Sequence, residues 1–558
     1  MADRVRFVTI LVVLVGVGAL VGVAAAGAGS ADDATDDQLV DDCAAEPPED
    51  FADPEDGNET IGWFDGYWYD EPIDIDASDG LTQDEVEELS ARTAARFEAM
   101  RCLTFDELPS IEIMTREEFA ERNAEQFAEV DDEARTYDNV KLSTMLLVGD
   151  DEDATDVRQA NRETSVGGFY DFVEEHIAVI SENPDNLLLD EAILAHELGH
   201  ALQDQHFDLE QYDRNITDVN NAKLGIIEGD VHRVEHEYLQ RCENDEWSEP
   251  CVTEDVDEEA AVDEPENWGL YFKMFQPYSD GPAFTDHVHE QGGWDAVDDV
   301  YDEMPRSALE IIYPEKYGDS PAEELDVDDR SSDDWERLPI EDDREYDVIG
   351  QAGITAMFVD PLYADAPALL VDPNQFLNTV NGNEIDEQNP LNYDLPETNG
   401  WRGDQLFAYQ TDDGDTASVW KTAWEDADEA ERFAETYEEL IEYRGGERVD
   451  WASTYEFGDE SAFDGVVTVE VRDDRVWIVS GPSVDALTDV DDSVELEADP
   501  ADENGDGTDN GDGTGGDGTD NGDGERAAGD DENDAIPGFG AMAALVAALA
   551  AAVAMSRR

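Results

Sequence analysis

His196-Glu197-Leu198-Gly199-His200 sets two imidazoles four residues apart with an acid between them. On a helix, residues i and i+4 share a face, so both rings can grip one metal ion. Glu197 can then take a proton from water on that ion. Zinc is the ion expected, because it accepts imidazole and carboxylate ligands and lowers the pKa of its water toward about 7. The chain has only 8 histidines, and residue frequencies give on the order of 0.01 chance occurrences of the pattern. A catalytic zinc takes a third protein ligand and keeps one position open. Two residues could supply that ligand. His206 stands at the extended HExxHxxGxxH spacing, but Gln203 occupies the place of that pattern's turning glycine. Glu228, in Leu224-Gly225-Ile226-Ile227-Glu228-Gly229-Asp230, lies about one helix-length downstream, where a second helix packed on the first would present it. The chemistry favours Glu228. Asp230 is a candidate to orient a ligating imidazole through its other N–H. His232 and His236 follow Glu228 at helical spacing and are candidate oxyanion donors, with Tyr301, Arg306 and Tyr317 as further candidates. Trp268, Tyr271 and Phe272 read as packing residues.

These residues sit in a wider pattern. Ala195–Leu209 (AHELGHALQDQHFDL) and Ile227–Val231 (IEGDV) resemble a group of exported, gluzincin-like zinc metallopeptidases of bacteria and archaea. Gly292-Gly293-Trp294 through Tyr301, Pro305 and Ser307, Pro314–Tyr317, and Gly400–Asp404 with Trp420 and Trp424 resemble that group's later blocks. The likeness spans roughly 165–480 and departs where acidic insertions at 243–266 and 322–345 enlarge the loops. It implies a zincin-like core, His196, His200 and Glu228 as zinc ligands, Glu197 as general base, and a peptide or protein substrate.

The elements that must position the site are partly legible. Val86, Leu89, Thr93, Phe97 and Met100 follow a helical period. Ile111–Met114 alternates as a strand, and Thr115 with Glu118 forms a capping box that opens a helix. Ile177–Ile180 is a short strand, and Asn186–Gln205 is one buried helix carrying the motif. Farther on, Gln405–Gln410 and Ser418–Trp424 are strands. Ala430, Phe433, Ala434, Tyr437, Leu440 and Ile441 line one helical face, and Val466–Val471 with Arg475–Ser480 form a hairpin. The fold class expected is α+β: a zincin-like metallopeptidase core with an HExxH helix, then a smaller α+β domain, a disordered acidic linker and a C-terminal transmembrane helix. The divisions are a signal peptide (1–28), an acidic leader (29–60), the metallopeptidase domain (61–325), the accessory domain (346–490), a low-complexity Gly/Asp/Thr linker (496–535) and a membrane segment (536–558).

Composition says where such a protein would work. Its 558 residues include 146 acidic against 31 basic, a net charge of -115. Self-repulsion on that scale strains a compact fold in dilute buffer, whereas molar salt cuts the Debye length to roughly 3 Å. The chain therefore reads as adapted to a very salty environment, and the absence of a basic patch excludes nucleic acid as a partner. Arg4 and Arg6, the apolar run Phe7–Val23 and the small residues after it form a secretory signal. Export permits disulfides. Of three possible pairings among Cys43, Cys102, Cys242 and Cys251, the short loop Cys242–Cys251 is the first choice, leaving Cys43 with Cys102. Ile536–Met555 followed by Arg557-Arg558 has the length and charge of a membrane helix with its positive end inside. Pro537-Gly538-Phe539 between an acidic spacer and that run resembles the PGF-CTERM sorting signal of archaeal surface proteins. The resemblance implies processing by an archaeosortase and a lipid anchor. The function expected is a surface-anchored zinc metallopeptidase; the alternative is a non-catalytic, zinc-stabilised envelope protein.

Overall fold

The computed structural model describes residues 43–496 apart from 76–79, 129, 182–188, 213–214, 245, 253–264, 319–321, 341–343, 365–366, 381–383 and 450. The expected signal peptide and membrane segment, and all but the first residue of the linker, lie outside the described residues. Among those described, no helix is long and apolar enough to cross a membrane.

The chain is mixed α+β. A short hairpin, β1 (Trp63–Phe64) and β2 (Tyr67–Trp68), leads into α1 (Gln83–Arg101). Then come β3 (Ser110–Thr115), α2 (Arg116–Phe127), α3 (Asp132–Thr144), α4 (Ala154–Ser165), β4 (Gly168–Asp171) and β5 (His176–Ser181). The motif helix is α5 (Glu191–Phe207), followed by α6 (Thr217–Glu243), α7 (Trp268–Gly292), α8 (Trp294–Asp302) and α9 (Ala308–Ile312). The remainder is β6 (Glu336–Arg337), α10 (Gly350–Val359), β7 (Thr379–Val380), β8 (Glu384–Ile385), β9 (Trp401–Gln410), β10 (Thr416–Trp424), α11 (Ala427–Tyr443), β11 (Gly446–Arg448), β12 (Thr454–Phe457), β13 (Val466–Arg472), β14 (Arg475–Gly481) and α12 (Val484–Val490).

The expected capping box is present at α2: the Thr115 hydroxyl accepts from the Glu118 N–H, and the Glu118 carboxylate accepts from the Thr115 N–H. The motif helix begins at Glu191, capped by Asp190, and runs to Phe207. β5 lies between β3, to which it is parallel, and β4, to which it is antiparallel. Helices α1, α5 and α6 pack around one core that includes Phe97, Leu194, Leu198, Ile227 and Val231.

The stretch 265–320, rich in aromatics and prolines, is largely helical, and α7 carries Pro277 and Pro282 inside it. Interior prolines normally break a helix by removing a backbone donor. Here α7 is held by its packing on α6, where a Cβ on Gly229 would lie 2.2 Å from the Gly281 carbonyl oxygen and one on Gly281 would lie 2.3 Å from the Gly225 oxygen. Bare backbone at that crossing lets the two helices touch directly.

The second sheet is antiparallel with order β11-β12-β13-β14-β10-β9-β6. The expected hairpin appears as β13 and β14, paired from Val466↔Gly481 to Arg472↔Arg475. Helix α11 covers one face with Phe433, Tyr437 and Leu440 against Trp420 and Trp424; α12 covers part of the other with Leu487 and Val490 against Val419 and Val479. β6 arises inside the acidic 322–345 stretch that reads as a loop, because its backbone completes the edge of β9. The core under α11 also takes Leu142–Val148, Phe272, Phe275 and Leu309, so the hydrophobic interior runs on across 325–346. The sulfurs pair Cys43–Cys102 and Cys242–Cys251.

Candidate metal centre

Helix α5 brings His196 and His200 side by side, and α6 lays Glu228 across them. Their Nε2 atoms stand 3.0 Å apart. Glu228 Oε2 is 3.5 Å from His196 Nε2 and 3.4 Å from His200 Nε2. All three side chains are fully buried, and together they could hold a metal ion. Glycine makes the approach possible, since a Cβ on Gly199 would lie 2.5 Å from the Phe97 ring and 2.9 Å from Val231. Both oxygens of Glu197 and Oε2 of Glu228 are buried with no hydrogen bond of normal geometry. Buried carboxylate oxygens are rarely left so, and a cation is the partner this donor set suits. Gly168 of β4 presents bare backbone to Glu197, where a Cβ would lie 3.1 Å from Oε1.

Each imidazole is fixed from behind. His196 Nδ1 lies 2.9 Å from Glu235 Oε2, and His200 Nδ1 lies 3.0 Å from Gln203 Oε1. With those Nδ1 atoms as N–H donors, both Nε2 lone pairs face the triangle. The Gln203 amide donates to the Ile227 carbonyl, to Tyr301 Oη and to Asp230 Oδ2. Asp230 also accepts from Tyr301 at 2.9 Å and from Arg101 at 2.7 and 3.1 Å. Glu228 is held by Tyr278 of α7, whose hydroxyl donates to Oε1 at 2.9 Å.

The electrostatics follow from burying several acids together. Burial pushes Glu197 well above the usual carboxylate range; His196 opposes that shift, while Glu228 and Glu235 add to it. Burial works against charge on His196, yet Glu235, Glu228 and Glu197 push it up to about 10. Burial would raise Glu228, but His200 and His196 draw it down to about 2. Burial is likewise overcome at Glu235, where His196 and His232 hold the carboxyl far below its usual value.

Several candidates fall elsewhere. His206 is exposed, its Nε2 on the Thr104 carbonyl at 2.9 Å, because α5 runs straight on where a glycine turn would have folded the chain back. Asp230 touches no imidazole; it reaches His200 only through Gln203. His232 lies beside the site, its ring centroid 4.7 Å from that of His196, its Nδ1 2.9 Å from Glu235 Oε2 and its Nε2 buried without a partner. His196, His232 and Glu235 form a second group able to hold a cation. His236 meets Gln240 instead. Tyr301 supports Gln203, whereas Arg306 is half-exposed beside Glu310 and Tyr317 donates to the Glu303 carbonyl. Tyr271 and Phe272 are core, with Trp268 packed against them.

Three supporting residues escaped the sequence reading. Glu235 is seven residues after Glu228 on the same helix, and Gln203 three after His200, so helical periodicity could have found both. Tyr278 comes from another helix, and no local spacing announces it.

The candidate site lies outside the stretch that matches a family model. Residues 336–491 match the family model for a domain of unknown function (DUF8575). That segment holds the seven-stranded sheet with α10, α11 and α12. No curated protein and no solved structure matches the chain.

Proposed function

We propose that the protein is a zinc-dependent metallopeptidase of gluzincin type, with His196, His200 and Glu228 as ligands and Glu197 as general base. The observation that carries this reading is the triangle of 3.0, 3.4 and 3.5 Å between ligand atoms, with the unpartnered Glu197 beside it. The three donor atoms lie close enough together that His196, His200 and Glu228 would hold one zinc ion between them. Zinc would supply a Lewis acid that polarises the scissile carbonyl and acidifies water. Glu197, whose two buried oxygens have no hydrogen bond of normal geometry, would accept a proton from water at Oε1 or Oε2 and return it to the leaving amine. Glu235 and Gln203 hold the two rings in the tautomer that presents Nε2, and Tyr278 holds the carboxylate of Glu228.

The test is peptide hydrolysis by the full chain in molar salt, beside Glu197→Gln. The expected result is one zinc per chain in both proteins and hydrolysis by the wild type alone. Equal rates would overturn the mechanism.

One observation favours the alternative, a surface protein stapled by its metal: His196, Glu197, His200 and Glu228 are all at 0% exposure. A structural site closes its fourth position with protein, so metal that is retained but never exchanges water would decide for it. Export and C-terminal anchoring, with archaeosortase processing and a lipid, are proposed from the sequence alone. Fractionation of cells producing the protein with and without 536–558 tests them, and recovery of both forms in the membrane would overturn the role of that segment.

A further inference from the structure

On the face of the second sheet that α12 leaves uncovered, a cavity of about 440 Å³ opens between β10, β14 and the extended segment 323–328. Its lining is unlike the rest of the chain. Four basic side chains, Arg330, Lys421, Arg472 and Arg475, gather there around Trp477, in a protein with 31 basic residues against 146 acidic. The register explains the grouping: Lys421 is paired across strands with Trp477, and Arg472 with Arg475. The guanidinium of Arg472 lies 4.6 Å from the Trp477 ring centre and the ammonium of Lys421 5.6 Å from it.

The acids lining the cavity come from the segment Glu323-Glu324-Leu325-Asp326-Val327-Asp328, while behind the lining Arg472 also pairs with Glu470, Arg475 with Asp474 at 2.8 Å and Arg330 with Asp492 at 3.4 Å. This segment shows how the face holds an acidic chain. Its Glu323 carboxylate sits 2.6 Å from Arg475 and 2.9 Å from Arg402, and its Glu323 N–H donates to the Arg402 carbonyl. The backbone comes so close that a Cβ on Gly403 would lie 2.3 Å from the Glu323 carbonyl oxygen. Lys421 spends one ion pair on Asp491 at 3.0 Å, and an ammonium has three donors.

We propose that this cavity is a binding site for an acidic, extended polypeptide, and that the 323–328 segment lies across it as a competing ligand in cis. Arg475 and Lys421 pair with carboxylates of the incoming chain, and Trp477 supplies an apolar floor. Charge-assisted contacts made at hydrogen-bond distance persist in molar salt, where longer-range attraction is screened. The site is independent of the metal centre and of whether that centre hydrolyses anything.

The test is fluorescence anisotropy of the labelled peptide Glu-Glu-Leu-Asp-Val-Asp, titrated with the full chain in molar salt, beside the same peptide with Gln and Asn replacing its acids. The wild type should bind the acidic peptide saturably and the amide peptide about tenfold more weakly, as expected for the loss of a charged hydrogen bond. Glu323→Gln, which loosens the resident segment, should tighten binding several-fold. Lys421→Gln should weaken it about tenfold and Lys421→Arg restore it. Circular dichroism checks that each variant is folded, and the Glu323→Gln result stands even should Lys421→Gln not fold. Equal binding of the two peptides, no change or a loss of affinity in Glu323→Gln, or no saturable binding by either wild type or Glu323→Gln would overturn the proposal.

Discussion

Glu235 lies 2.9 Å from an imidazole nitrogen on each side, His196 and His232. Gln203 does for His200 what Glu235 does for His196, with a neutral amide in place of a carboxylate. The difference has consequences at the scale of single residues. Partners that orient a ligating imidazole are commonly worth 10–100-fold in metal affinity. Glu235→Ala should therefore weaken zinc binding by about that factor, read by competition with a chromogenic chelator, while Gln240→Ala on the same helix should leave it unchanged. Gln203→Ala should weaken binding as well and also destabilise the fold by about 1–3 kcal/mol, because Asp230 and the Ile227 carbonyl lose a buried donor. An unchanged zinc affinity in both Glu235→Ala and Gln203→Ala would show that the ligand triangle does not bind the ion.

Two helix crossings set where Glu228 can be. α5 meets α1 and α6 through Gly199, and α6 meets α7 through Gly225, Gly229 and Gly281. The second crossing is backbone against backbone, and it delivers Tyr278 to Glu228. Gly229→Ala would put a methyl 2.2 Å from a carbonyl oxygen that cannot rotate away. Overpacking of this kind usually costs about 1–3 kcal/mol, and a shift of α6 also moves Glu228. Gly229→Ala is expected to lower the melting temperature by several degrees and to weaken zinc binding together. Gly318→Ala is the control, since its open space has no neighbour within 4 Å; it carries only the strain of its positive φ. The N-terminus of α6 has no cap of its own. Asp347, from beside the second sheet, accepts from the Thr217 N–H at 2.8 Å and from its hydroxyl at 2.7 Å.

At the scale of the whole molecule, buried acids link that sheet to the helices that carry the candidate site. Burial raises Asp218, at the start of α6, to about 7, with Asp404 adding to the shift; burial likewise raises Asp404 to about 6. Gly350 is wedged between them: its N–H donates to Asp404, and a Cβ there would meet Asp218 at 2.3 Å. A carboxyl whose folded pKa exceeds its unfolded value favours folding while protonated. Its contribution is therefore complete below the unfolded value near 3.8 and is lost as pH rises through about 6 to 7. Asp218→Asn should flatten the decline in melting temperature between pH 5 and pH 8; an identical pH dependence in wild type and variant would refute the assignment. The net charge of -115 acts on the same scale. Raising salt from 0.1 to 2 M screens self-repulsion and should raise the melting temperature markedly, as followed by circular dichroism.

Much of this was written locally. The HExxH spacing names a candidate ligand pair because a helix fixes i and i+4 on one face, and the Thr115 capping box, the β13–β14 hairpin and the helical face of α11 follow from periods of a few residues. The mixed α+β character and the two sulfur pairings were legible for similar reasons. Chemistry along the sequence favoured Glu228 over His206 and the packing of α6 on α5 brings it to the imidazoles; tertiary structure alone decided that Glu235 and Gln203 rather than Asp230 touch them, that Tyr278 reaches Glu228, and that two prolines sit inside α7. Each of these depends on where one helix crosses another, and a crossing is set by side-chain and backbone shape over long sequence separations, which periodicity along a single chain does not encode.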